Sequence, residues 1–137
     1  MTEANVVPRG FRNNNPLNLR KSSNPWLGKI QNGTDPDFEQ FVSIELGLRA
    51  AFINARTIMR RCTNPTVQKL INTWAPPSEN NTMAYVHRVC ESAKLVPTEP
   101  ICFKKKAQMC AIFYAMVIVE NGRALPKETI EKAYSLV

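Results

Sequence analysis

The stretch Ala107-Gln-Met-Cys-Ala-Ile-Phe-Tyr-Ala-Met-Val-Ile-Val-Glu-Asn-Gly122 is the most apolar part of the chain and decides its fold. Its apolar side chains cover every face of a helical turn rather than a single stripe. A helix that is apolar all round is packed on all sides, so residues 107–119 are expected to form the centre of the core. The helix should run from about residue 104 to 121 and end at Gly122, because glycine readily adopts the left-handed conformation that stops a helix.

Glu120 lies at the carboxyl end of this predicted helix. A carboxyl group in that position faces unpaired backbone carbonyls and little water, and both effects favour its protonated form. A carboxyl group that stays protonated near neutral pH can act as a general acid. A glutamate at a helix end is also often a simple exposed polar group, so the sequence leaves two interpretations of Glu120 open.

Four further helices and one hairpin are expected around the central helix. The helices are predicted to begin after the cap Ser43, at Pro65, at Ser78 or Thr82, and at Pro126. Segment 26–42 is typical of two short strands joined through a turn that contains Asn32-Gly33. The predicted fold is one lysozyme-like domain over residues 1–137, α+β but mostly helical, with about five helices and one small β-hairpin. The side chains expected around the central helix are Leu48, Phe52, Ile58, Leu70, Ile71, Tyr85, Val89, Ile130 and Tyr134.

Residues 1–25 are rich in Asn, Pro, Arg and Ser, which favour turns over a regular helix. The same segment contains Phe11, Leu17 and Leu19, and large apolar side chains have little use in a disordered tail. We therefore expect an ordered loop that packs against the core.

The composition restricts the partners. The 137 residues carry 18 Lys and Arg against 11 Asp and Glu, a formal net charge of +7. A positive protein favours an anionic partner, which could be nucleic acid, a membrane surface or an anionic cell-wall polymer. Nucleic acid is not expected, because the arginines of segment 49–61 show no obvious pattern of interleaved aromatic residues and no recognisable binding motif.

The cysteine and histidine content argues against a metal site. Cys62, Cys90, Cys102 and Cys110 lack the close paired spacing of zinc ligands, and His87 is the single histidine. We expect buried free thiols and no cofactor, with one or two disulfides as the alternative.

The amino terminus has no basic stretch followed by an apolar run, so no signal peptide is expected. The apolar stretch is shorter than the roughly 20 residues of a membrane span, so membrane insertion is not expected either. The prediction is a monomer made in the cytoplasm. It would act at the bacterial wall if a phage, a secretion system or a conjugation system delivers it.

Two acids on the predicted hairpin, Asp35 and Asp37, are candidates for the second carboxylate that glycan cleavage commonly uses beside a general acid. Both stand in a Thr-Asp-Pro-Asp context that is typical of turns, so a purely structural role stays open for each. Strand alternation places Glu39 opposite Phe38, facing either solvent or the cleft, and we expect it to face solvent.

Other polar residues are candidates for holding a sugar. Amide and guanidinium groups donate hydrogen bonds to the oxygen atoms of N-acetyl sugars, and amides also accept them. Glu79 equally suits a capping role in the first turn of a helix, where a carboxylate meets free backbone donors. The substrate-binding candidates are Arg12, Asn13, Asn15, Arg20, Glu79, Asn80 and Tyr85.

Several motifs resemble a known enzyme group. Those similar to the segment after the catalytic helix in glucosaminidases of the lysozyme-like superfamily are Asn15-Pro-Leu-Asn-Leu-Arg20, Trp26-x-Gly28, Phe38-x-x-Phe41-x-Ser43 and Gly47-x-Arg-Ala50. Thr82-x-x-Tyr85 resembles a later helix start in that group. Val119-Glu-Asn-Gly122 resembles the end of the lysozyme-type catalytic helix, which normally comes first and here comes last. The resemblance implies a circularly permuted order, which is tolerated when the chain termini lie close together.

The chain also resembles a family of small proteins from phages and bacterial mobile elements, described as structural protein P5-like. The motifs are Arg9-Gly-Phe-Arg-Asn-Asn-Asn-Pro16, Trp74-Ala-Pro-Pro-Ser-Glu-Asn80 and Glu120-Asn-Gly122. This likeness covers most of the chain and implies association with peptidoglycan.

Together the residues and the resemblance predict cleavage of the peptidoglycan glycan strand, with Glu120 as the general acid. The enzyme would be a muramidase or glucosaminidase, or a lytic transglycosylase if no second carboxylate faces Glu120. Arg12, Asn15 and Arg20 would position the glycan. The alternative is a virion or mobile-element structural protein that keeps the same frame and binds peptidoglycan, or another protein, without cutting it.

Overall fold

The structure is a computed structural model and describes residues 6–137. It is mostly helical, as predicted. The helices are α1 (Arg9–Arg12), α2 (Ile44–Arg60), α3 (Val67–Trp74), α4 (Thr82–Ala93), α5 (Lys106–Asn121) and α6 (Lys127–Ser135). The five longer helices correspond to the five that the sequence predicts, and the single turn α1 is additional.

Helix α5 is the centre of the packing. It packs against α4 and α6, and its Met109, Phe113 and Val117 are buried. Phe113 stacks on Phe52 of α2 with ring centroids 3.9 Å apart. One side of α5 is less enclosed than the sequence predicts, because Ala107 is exposed and four further residues of its first three turns are half-buried. The all-round apolar pattern therefore overstates the burial of this helix.

The outer core matches the prediction in most positions. Seven of the nine expected residues are buried, while Ile58 and Tyr134 are half-buried and pack against the core. The four cysteines are free thiols, as expected, but Cys90 alone among them is buried and Cys102 is exposed.

Polar side chains define where the helices begin. The side chain of Ser43 accepts the backbone N–H of Leu46 and caps α2, as predicted. Helix α4 begins at Thr82, one of the two predicted positions, and its cap is Asn81, which accepts the N–H of Ala84. At the other end of the chain, Gly122 has φ 72° and ends α5 as expected.

The amino-terminal segment is ordered, as predicted, but it contains the helical turn α1 that its composition argues against. After α1 the chain forms a loop whose Leu17 and Leu19 are buried in the core. Helix α1 contacts α5, so the loop lies near the end of the central helix.

The predicted hairpin is wrong. In residues 6–137 the β-contacts are isolated bridges, and those of this region pair Arg20 with Phe38 and Lys29 with Phe41. Segment 37–42 lies between two partners, since Glu39 donates to Leu19 and Ile30 donates to Gln40. Three short extended segments lie side by side instead of two strands around one tight turn.

Candidate functional site

Glu120 is half-buried at the last turn of α5, and both of its carboxylate oxygens have partners. The Asn18 amide donates to Oε1 at 3.1 Å, and the Tyr85 hydroxyl donates to Oε2 at 2.9 Å. These partners come from the amino-terminal loop and from α4. Three separate parts of the chain therefore converge on this carboxyl group.

Several contacts fix the loop that carries Asn18. The Asn121 amide donates to the Pro16 carbonyl at 2.7 Å, and the Trp74 indole donates to the Leu17 carbonyl at 3.3 Å. Asn18 itself has φ 53°, a left-handed conformation that asparagine tolerates better than most residues. Asn18 lies in a loop, and its left-handed backbone conformation directs its side chain towards Glu120.

Burial dominates the electrostatics of Glu120. Desolvation raises the pKa of this carboxyl above its ordinary value, and the hydrogen bonds from Asn18 and Tyr85 only partly oppose the shift. Burial together with the nearby Glu120 charge also raises the pKa of the Tyr85 phenol, so its hydroxyl stays protonated and remains a donor. The arrangement is that of a carboxyl group able to hold a proton at higher pH than a free glutamate.

Asp35 is held very differently. Arg9 donates to both of its oxygens at 2.7 and 2.6 Å, and the Asn13 amide adds a third hydrogen bond at 2.9 Å. The backbone N–H groups of Asp37 and Phe38 donate to it as well. The Arg9 guanidinium holds the pKa of Asp35 well below its usual range. Its carboxylate is ionised and fully engaged in holding the loop.

Some candidate residues near the amino terminus line a cavity, and one, Asn15, only holds the loop together. Arg12 is exposed and lines a cavity of about 390 Å³ together with Asn13 and Asp35. Asn15 is fully buried, donates to the carbonyls of Leu19 and Glu39, and accepts the Leu19 N–H. Asn15 therefore holds the loop together and has no free group for a ligand.

A second surface joins two more candidates. Arg20 and Glu79 are both exposed and approach each other at 3.5 Å. The Phe38 ring lies between two guanidinium groups, with Arg9 at 4.5 Å and Arg20 at 5.5 Å from its centroid. Phe38 thus connects the Arg9–Asp35 cluster to the Arg20–Glu79 pair, a connection that the sequence pattern does not reveal.

The remaining candidates are placed as follows. Asp37 has a side chain 56% exposed and accepts from Arg9 at 3.1 Å. Asn80 is exposed, and its amide donates to the Pro76 carbonyl at 3.3 Å. Tyr85, expected both as a core residue and as a sugar contact, is buried and reaches Glu120 with its hydroxyl.

Two residues were missed by the sequence reasoning. Glu39, expected at the surface, has only 2% of its area exposed and pairs with the Lys29 ammonium at 3.0 Å. A buried carboxylate needs such a partner, and here it lies on the neighbouring extended segment, which strand alternation alone does not reveal. Asn18 lies in the motif Asn15-Pro-Leu-Asn-Leu-Arg20, but the sequence predicted no role for it. Its contact with Glu120 spans 102 positions of sequence.

The described part of the chain carries no group of three or more His, Cys, Asp or Glu side chains positioned to hold a metal ion. Among the helices of residues 6–137, none combines the length and apolar character needed to cross a membrane.

Comparison with known proteins gives one family assignment. No family model matches the chain. The chain is 32% identical over 124 residues to Protein P5 of Pseudoalteromonas phage PM2, an alignment that covers 88% of this chain and 76% of the relative. Identity at this level over most of both proteins shows common descent, and the chain belongs to the family of the phage PM2 Protein P5.

Proposed function

We propose that this protein cleaves the glycan strand of peptidoglycan and that Glu120 is its general acid. The observation that carries the proposal is the half-buried Glu120, whose pKa is raised by desolvation while Tyr85 and Asn18 fix its orientation. A general acid needs a proton near the working pH and a defined direction in which to donate it; desolvation raises the pKa of Glu120 towards the first requirement, and its two hydrogen bonds supply the second.

The proposed course uses one acid rather than two. Asp35 is an unsuitable second carboxylate, because Arg9, Asn13 and two backbone N–H groups already occupy its oxygens. A lytic transglycosylase course needs only one group: Glu120 donates its proton to the glycosidic oxygen as the bond to the leaving sugar breaks. The resulting carboxylate then accepts the proton of a hydroxyl group on the sugar that keeps the anomeric carbon, as the oxygen of that hydroxyl attacks the anomeric carbon and closes an internal ring.

Substrate contacts are proposed along the surface around Phe38. Its half-buried ring and the exposed Arg20 offer a flat apolar face beside a guanidinium donor, a combination suited to a sugar ring with an acetamido group. Arg12 offers a further exposed guanidinium at the cavity that it lines with Asp35. The exposed Asp37 and Asn80 extend this surface. The charge of +7 favours retention on an anionic wall. On this proposal the fold is lysozyme-like in permuted order.

The test uses purified peptidoglycan. Wild type is expected to release soluble fragments whose terminal sugar is one water lighter than a hydrolysis product, measured by mass spectrometry. Glu120→Gln should lower the rate at least about 100-fold, the usual contribution of a general acid. Glu128→Gln, at an exposed glutamate in the first turn of α6, is the matched control and should retain the wild-type rate.

Two results would reject the enzymatic proposal: no fragments from wild type, or an unchanged rate in Glu120→Gln. Fragments of ordinary hydrolytic mass would keep the acid role of Glu120 and reject the single-acid course.

A second candidate function is a phage structural protein that binds peptidoglycan without cutting it. One observation favours it: both Glu120 oxygens already accept hydrogen bonds from within the chain, as a purely structural carboxyl group would. This candidate predicts that wild type sediments with insoluble peptidoglycan, releases no fragments and binds equally well as Glu120→Gln.

A further inference from the structure

A second cavity lies away from Glu120, where the last turns of α2 face the 101–104 segment and the end of α6. Its volume is about 540 Å³, within the range of small-molecule sites. Its lining includes Arg56, Met59, Arg60, Phe103, Lys104, Tyr134 and the last residue, Val137.

The charged side chains that line this cavity are all positive. Arg56, Arg60 and Lys104 line it, and no Asp or Glu side chain does. Within residues 6–137 the ion pairs are formed by other cations, so none of these three is paired with a carboxylate. Three cations gathered without an acidic side chain repel one another, and an anion placed among them would remove that cost.

Arg56 provides the most specific observation. Its guanidinium lies over the Phe103 ring, 5.7 Å from the centroid, a contact that favours this position at the cavity. Its Nε is shielded from solvent and donates to no acceptor in the described residues. A shielded donor without an acceptor is costly and uncommon in folded proteins, so a turn of the Arg56 side chain that brings its N–H groups onto a ligand in the cavity would remove this cost.

We propose that this cavity binds the phosphate group of a small phosphorylated ligand. Guanidinium groups match the geometry of phosphate oxygens through paired N–H donors, and a lysine ammonium adds a point charge. Met59 and the Tyr134 ring provide an apolar wall for the organic part of the ligand. The Tyr134 hydroxyl donates to the Phe103 carbonyl at 2.8 Å, which holds both aromatic residues in place.

This site is independent of the proposed glycan cleavage, since it shares no residue with the Glu120 cluster. Glu120→Gln should therefore bind phosphate compounds as wild type does. Failure of either proposal can be distinguished from failure of the other.

The experiment is a calorimetric titration of the full chain at low ionic strength with two probes, inorganic phosphate and adenosine 5′-monophosphate. Saturable binding of one molecule per chain is expected, weakened as chloride is added because the contact is electrostatic. Tighter binding of the nucleotide would identify the apolar wall as part of the site. Equal affinities would assign the site to free phosphate.

Three variants locate the binding. Arg56→Gln is expected to weaken it at least tenfold, because one charge-assisted contact is worth about that factor. The double variant Arg60→Gln with Lys104→Gln alters exposed side chains that do not support the core, so it tests the site even if Arg56→Gln lowers stability. Arg88→Gln, an exposed arginine of α4 outside the cavity, is the charge-matched control and should bind as wild type.

The proposal is overturned if neither probe binds saturably. It is also overturned if Arg88→Gln weakens binding as much as the cavity variants do, because the effect would then be one of overall charge.

Discussion

Single residues explain why Glu120 behaves differently from the other acids of this chain. Glu120 is half-buried with two neutral donors, Asn18 and Tyr85, whereas Asp35 faces the Arg9 guanidinium. Desolvation therefore dominates the first carboxyl and raises its pKa, while the ion pair dominates the second and lowers its pKa. The pKa values of two carboxyl groups in one small protein are thus shifted in opposite directions.

The raised pKa of Glu120 predicts a particular pH dependence of stability. Since the folded state holds this proton more tightly than the unfolded state does, the stabilising contribution of Glu120 is complete below its unfolded pKa and is lost as pH rises through its folded pKa. Glutamine does not titrate. The free energy of unfolding of Glu120→Gln minus that of wild type should therefore become more positive from pH 4 to pH 8, measured by urea unfolding.

The readout is how this difference in free energy of unfolding changes with pH. Its value at any single pH also includes the changed hydrogen bonds to Asn18 and Tyr85, which do not depend on titration of the substituted residue. Glu128→Gln provides the control at an exposed site. A difference that stays flat or falls with rising pH would contradict the raised pKa of Glu120.

At the scale of elements, the helices were predictable because their signals are local. The Ser43 cap, the Gly122 stop and the apolar pattern of α5 each act within a few residues. The hairpin was not predictable, because side chains replace a regular ladder there. The Thr34 N–H donates to the Gln40 side chain at 2.6 Å, and Asp35 accepts two backbone N–H groups of its own loop.

Helix α2 offers a test of how tightly the amino-terminal loop packs. A Cβ atom at Gly47 would overlap the backbone carbonyl of Asn14 and press on the Phe41 ring at 3.3 Å. Alanine normally stabilises a helix interior relative to glycine. Here the added Cβ would meet backbone atoms of Asn14, which cannot move aside as easily as the end of a flexible side chain. Gly47→Ala is therefore expected to destabilise the protein by about 1–3 kcal/mol, measured by chemical unfolding.

Gly122→Ala is the comparison, because φ is 72° there and no atom lies within 4 Å of the added Cβ. It should cost about 1–2 kcal/mol from backbone strain alone and leave the loop contacts unchanged. If Gly47→Ala proved more stable than wild type, the close approach of α2 to the loop would be wrong.

At the scale of the whole molecule, the amino-terminal loop is the part that joins otherwise distant elements. It contacts α5 through Asn18, α3 through Leu17 and the extended segments through Asn15. The sequence predicted that this loop is ordered but not what it touches, because asparagine contacts across more than 20 positions follow no periodicity. Glu120 and Tyr85 could therefore be named from the sequence, and their meeting with Asn18 could not.

The Arg9–Asp35 pair tests this joining role. Asp35→Asn keeps the shape of the side chain but removes the charge that Arg9 and two backbone N–H groups hold, so the melting temperature at pH 7 should fall. Because the folded pKa of Asp35 is lowered, its contribution is present above the unfolded pKa and is lost as pH falls through the folded value. The difference in melting temperature from wild type should therefore shrink as the pH is lowered from 7 towards 3.

The Arg9 side chain is 40% exposed, so added salt should also reduce the difference at pH 7. Asp37→Asn, at a 56% exposed side chain with a single contact to Arg9, is the matched control and should change the melting temperature less. Equal effects of the two substitutions, or a gap that widens in acid, would show that Asp35 does not anchor the loop.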